Sequence, residues 1–68
     1  MSTAIINGRR VEIPSTTTDD EIRQMGDIKP GRTLIKRDRL GNFVIPRKSK
    51  VNVRDGDTFV DAPARIKG

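Results

Sequence analysis

Apolar positions in this chain fall into short groups that alternate with charged or hydroxylated neighbours, and turn-forming residues separate the groups. Ala4-Ile5-Ile6 and Val11-Glu12-Ile13 flank Asn7-Gly8-Arg9-Arg10. Asn-Gly predicts a hairpin, because a type I′ turn needs positive φ at both central residues. A two-residue loop pairs Ala4 with Val11, puts Ile6 on the same face and turns Ile5 outward. A three-residue loop with a bulge reverses these faces, and the sequence leaves both open. Pro14 has no N–H to give a ladder, so the second strand is expected to end there.

Ser15 to Thr18 are polar and read as a helix approach. Thr18-Asp19-Asp20-Glu21 fits a capping box, and its three acids sit against the positive end of the helix dipole. Ile22 and Met25 share a face, Ile28 lies just beyond, and Gly26 is the expected terminator. So short a helix must lean on a sheet. Lys29-Pro30-Gly31 reads as a turn. Thr33–Arg37 and Asn42–Ile45 read as strands around an Asp38-Arg39-Leu40-Gly41 hairpin loop, closed by Pro46. Arg47 to Lys50 form a basic loop, Val51 and Val53 alternate with Asn52 and Arg54, and Asp55-Gly56-Asp57 is a tight turn. Thr58–Ala62 reads as the last strand, ended by Pro63. The expected core is Ile6, Val11, Ile13, Ile22, Met25, Ile28, Leu34, Phe43, Ile45, Val51 and Phe59. The fold class is therefore α+β: a mixed sheet of four to five strands with one short helix packed on one face.

Composition narrows the chemistry. With 68 residues, 32% hydrophobic and 34% charged, the chain has one thin core under a charged surface. Fourteen Lys and Arg against nine Asp and Glu give a formal charge of +5, and there is no His, Cys or Trp. Disulfides, thiolate nucleophiles and cysteine-held zinc are thereby excluded, and the usual general base near neutral pH is missing. No run approaches the roughly 20 apolar residues of a membrane span, and Met1–Ile6 is too short for a signal-peptide apolar region. The expectation is a cytoplasmic, soluble domain that is not an enzyme and acts on another macromolecule.

The order hairpin, helix, strands, turn, strand and tail resembles the β-grasp fold of ubiquitin-like proteins. Ile5-Ile6-Asn7-Gly8-Arg9-Arg10-Val11-Glu12-Ile13 is similar to the opening hairpin of prokaryotic ubiquitin-like domains. Val53-Arg54-Asp55-Gly56-Asp57-Thr58-Phe59 is similar to the turn and last strand seen also in bacterial sulfur carriers, and Arg65-Ile66-Lys67-Gly68 stands where these proteins carry a basic, glycine-ended tail. The resemblance implies a β-grasp domain over residues 1–62, a flexible tail over residues 63–68, and a bacterial ubiquitin-like protein modifier. It implies that the Gly68 carboxylate is activated by an E1-like partner enzyme, which uses the ATP, so the chain itself needs no cofactor. The further implied partners are an E2-like or equivalent transfer enzyme, a target protein joined through an isopeptide bond, and a deconjugating peptidase. Many relatives end in Gly-Gly. Here Lys67 precedes Gly68, which tells most against the alternative of a sulfur carrier with a C-terminal thiocarboxylate.

Physical reasoning suits the same tail. Pro63 to Gly68, drawn out at roughly 3.3 Å per residue, reach about 20 Å. A terminal glycine has no Cβ to block a narrow channel. Arg65 and Lys67 alternate with Ile66, which matches a groove with an apolar pocket and an acidic lining.

Cations at Arg9-Arg10, Arg32, Lys36-Arg37-Arg39 and Arg47-Lys48-Lys50 raise the alternative of a small nucleic-acid-binding protein. Against it, both aromatic residues, Phe43 and Phe59, are expected in the core, and the helix opens with acids. Helix capping accounts for Asp19, Asp20 and Glu21, and turn chemistry for Asp55 and Asp57, so no metal site is expected. With Phe59 inward, Val60 and Ala62 point outward and form a docking patch with Val44, if that strand is adjacent.

Overall fold

The computed structural model describes residues 1–63. In chain order the elements are β1 (Ser2–Ile6), β2 (Arg9–Ile13), β3 (Thr16–Thr18), α1 (Asp19–Gly26), β4 (Arg32–Asp38), β5 (Gly41–Ile45), β6 (Lys50–Asn52) and β7 (Thr58–Pro63). Five strands form one mixed sheet in the order β2-β1-β7-β4-β5, and β3 pairs with β6 in a separate two-stranded sheet. The fold is α+β, as the element pattern predicts.

The first hairpin takes the two-residue loop. Asn7 and Gly8 have φ of 49° and 82°, and Ala4 pairs with Val11. Ile6 is therefore buried and Ile5 faces out. The second hairpin is tighter than expected: Asp38 pairs with Gly41, leaving Arg39-Leu40 as the turn. β1 and β7 run parallel at the centre of the sheet, with Ile5 beside Thr58 and Ile6 beside Phe59. The Asp55-Gly56-Asp57 turn is pinned to β1, because the Asp55 carboxylate accepts from the Thr3 N–H at 2.8 Å and the Gly56 N–H donates to the Thr3 carbonyl at 2.8 Å.

Thr18 caps α1 by accepting from the Glu21 N–H at 3.3 Å. The Glu21 carboxylate accepts the Thr17 hydroxyl at 2.7 Å rather than closing the box on the Thr18 backbone. Thr16–Thr18, expected as an irregular approach, are strand β3. Three threonines carry no apolar alternation; their β-branched side chains favour an extended backbone, and pairing with Lys50–Asn52 makes it a strand. Lys50 is accordingly part of β6 rather than of the basic loop. The helix is not stopped by Gly26, which is its last residue. Asp27 takes the left-handed cap at φ 56°. Gly26 serves a close approach instead: a Cβ there would lie 2.3 Å from Ile6 Cγ2.

The core is Ala4, Ile6, Ile13, Ile22, Ile28, Leu34, Val51, Val53 and Phe59, with Val11 and Ile45 half-buried against it. Two expected members are outside it. Met25 is 40% exposed and Phe43 is 45% exposed. The exposure of Phe43 follows from helix size. Eight residues at 1.5 Å make α1 about 12 Å long and roughly 10 Å wide, whereas five strands about 4.8 Å apart span about 19 Å. The helix contacts β1 and β3, so Phe43 on β5 lies beyond its cover. On the helix itself Arg23, not Met25, is buried beside Ile22.

Candidate functional site

The residues expected to carry the tail chemistry, Arg65, Ile66, Lys67 and Gly68, lie outside the described residues. What the structure does show is the strand that precedes them. β7 lies between β1 and β4, and its last residue, the exposed Pro63, pairs with Arg32 at the far end of β4. The strand thus runs one residue further than expected. Just before that end, Asp61 is held in place. Its carboxylate accepts from Arg32 Nε, and its N–H donates to Asn7 Oδ1 at 3.3 Å. Burial pushes the Asp61 carboxyl upward, but the hydrogen bonds from Arg32 and Asn7 and the Arg32 charge outweigh it and hold the group below its ordinary value.

The expected patch of Val44, Val60 and Ala62 is only partly assembled. All three lie on the sheet face away from the helix, by strand alternation. Val44 is not beside Val60, however, because β5 neighbours β4 and not β7. Ile35 stands between them, paired with Val44 on one side and Val60 on the other. Two strand spacings put the two valines about 10 Å apart. Ile35 is a member that sequence reading missed, and the alternation of Thr33–Arg37 was the signal that could have found it.

A second feature is basic. The β4–β5 ladder stops at Leu34–Ile45, Pro46 diverts the chain, and a cleft of about 440 Å³ opens beside Thr33. Arg23, Arg32 and Arg47 line it together with Pro30, Val44 and Pro46. Arg23 is 6% exposed. Its Nη1 donates to the carbonyls of Lys29 at 3.2 Å and Arg32 at 2.8 Å, and its Nε lies 3.6 Å from Asp19 Oδ2. Arg23 and Arg32 are thus neutralised by Asp19 and Asp61. Arg47 donates only to the Pro30 carbonyl and has no carboxylate partner among the described residues. The i, i+4 spacing of Asp19 and Arg23 was a visible sign of that pair; the convergence of Arg47 was not.

Among the described residues no three acidic, His or Cys side chains come together to hold a metal, and no helix is long and apolar enough to cross a membrane. Comparison with protein-family models, curated proteins and solved structures returns no match.

Proposed function

We propose that the chain is a β-grasp, ubiquitin-like protein modifier, cytoplasmic and not itself an enzyme, whose Gly68 carboxylate is activated by an E1-like enzyme at the expense of ATP and joined to a target amine. The observation that carries this reading is the position of β7. The last strand lies at the centre of the sheet, paired with β4 from Thr58 to Pro63 and with β1 at Thr58 and Phe59, and it ends on an exposed proline five residues before Gly68. A body anchored in this way can present its following residues to a partner without loosening its own core. The mixed sheet with one helix on one face is compatible with the β-grasp arrangement. Arg65, Ile66 and Lys67 are assigned to the groove of the activating enzyme, and Ile35, Val44 and Val60 to a docking face.

The test is incubation of the full chain with an E1-like enzyme and ATP, read by intact mass. A covalent adduct at Gly68, absent from a chain lacking that residue, is the expected result. Identical behaviour of the two chains overturns the reading. A product in which one carboxylate oxygen is replaced by sulfur assigns the chain to the sulfur carriers instead.

A second reading, a basic nucleic-acid binder, gains one observation: Phe43 is exposed, opposite Lys36 on the neighbouring strand, and not buried. One aromatic offers one stacking position, and the acidic first turn of α1 gives no recognition helix, so the modifier reading stands ahead of it. Nucleic-acid affinity would fall steeply with salt and ignore loss of Gly68.

A further inference from the structure

The two edges of the main sheet are guarded differently. β2 carries Arg9, Arg10 and Glu12, the charged residues with which proteins blunt exposed edges. β5, Gly-Asn-Phe-Val-Ile, carries no charge and no proline. Four of its five residues are exposed, and three of the largest exposed apolar side chains, Leu40, Phe43 and Val44, lie on it or on its turn. The ladder fixes which backbone groups are unpaired. A two-residue turn makes Asp38–Gly41 a hydrogen-bonded pair, so Phe43 and Ile45 also bond to β4. Asn42 and Val44 then point their N–H and C=O groups away from the sheet.

Charge decides what can lie there. Arg37 and Arg39 stand at one end of β5, and Arg47 and Lys48 at the other, and none has a carboxylate partner among the described residues. A second copy pairing antiparallel about Phe43 would set Arg39 of each strand against Arg47 of the other. Like charges would meet at both ends, and directly opposed like charges destabilise a sheet.

We propose that the β5 edge is a strand-addition site for an extended acidic segment of a partner protein: a short apolar, β-branched centre hydrogen-bonded to Asn42 and Val44, flanked by carboxylates that meet Arg39 and Arg47. The cleft at the end of β5 receives one of those carboxylates, because Arg47 is its one guanidinium without an acidic partner among the described residues. Side chains of the added strand alternate between the Phe43 side and the Ile35–Val44 side, so both exposed apolar groups are covered at once. This inference uses no residue beyond Pro63 and is independent of the tail reading.

The experiment uses the full, isotope-labelled chain and a capped peptide with a valine-isoleucine-valine centre and two aspartates at each end. Amide hydrogen exchange at Asn42 and Val44 should slow on addition of the peptide, and the β2 amides should not change. The same peptide with lysines in place of aspartates should bind at least about tenfold more weakly, and so should the aspartate peptide to an Arg39→Glu/Arg47→Glu chain, since rim charges act through rate and salt-dependent attraction. Val44→Pro removes an outward donor without taking a bond from β4 and should abolish protection at Asn42. Protection at β2, equal binding of the lysine peptide, self-association that persists in the peptide-free chain, or preferential binding of an oligothymidylate at Phe43 would each overturn the proposal.

Discussion

The two hairpins of this domain are written alike and buried unlike. Each is a pair of strands with alternating apolar residues around a two-residue turn. In β1–β2 the inward residues Ala4, Ile6 and Ile13 are completely buried and Val11 is half-buried against them. In β4–β5 only Leu34 is completely buried, while Ile45 is half-covered and Phe43 stands exposed beyond it. The difference does not arise in the hairpins. A single eight-residue helix covers the β1 side of the sheet, and nothing of comparable size covers β5. Alternation selects a face, and a third element decides whether that face is core.

The contrast can be broken most sharply at its two phenylalanines. Phe59→Ala removes a fully buried ring from the central strand and should cost about 3–5 kcal/mol. That is a large share of the roughly 5–15 kcal/mol that holds a domain. Phe43→Ala should stay within about 0.5 kcal/mol, as surface changes do. Urea unfolding of both variants measures the pair, and equal losses would show that β5 is covered after all. Next in size is the contact that seats the helix on the first hairpin. Gly26→Ala gains about 1 kcal/mol of helix propensity. It also drives a methyl into Ile6 Cγ2, in a core with no room to move, at a cost of about 1–3 kcal/mol. A net loss in thermal unfolding is expected, and a gain would mean that the helix is not tightly seated. The smallest effect belongs to Asp61, on the strand that joins the two hairpins. Its carboxyl is held below the ordinary value of 3.8, so it stabilises the fold above that pH and ceases to do so as pH falls through the folded value. Asp61→Asn should therefore be slightly less stable than the parent at neutral pH, with the gap closing below about pH 4. A gap independent of pH would mean that the carboxylate charge is not what Arg32 and Asn7 hold.

Most of the fold was legible because local chemistry and tertiary need agree in it. Asn7-Gly8 set the first turn, Thr18 set the helix start, and Pro14 and Pro46 set strand ends. What escaped had a local signal too weak to decide it, or none. Thr16–Thr18 form a strand only because Lys50–Asn52 come to them. Gly26 carries the mark of a helix stop but answers to Ile6, and the left-handed residue is Asp27. Met25 and Phe43 are apolar at core-like spacing, but the exposure of Phe43 follows from the reach of the helix, and that of Met25 from the face the helix turns inward, which buries Ile22 and Arg23 instead. At the candidate site, the outward set of β7 could be read from alternation, whereas its separation from Val44 by Ile35 depends on strand order. The arginine cleft depends on where a ladder stops, which no spacing encodes.

The parallel contact of β1 with β7 sets the timing of folding in the cell. The first strand made must wait for the last, because Ile6 lies beside Phe59. During synthesis the nascent polypeptide therefore leaves the ribosome with its opening hairpin unpaired on one side, and the domain can close only once nearly all of it has emerged.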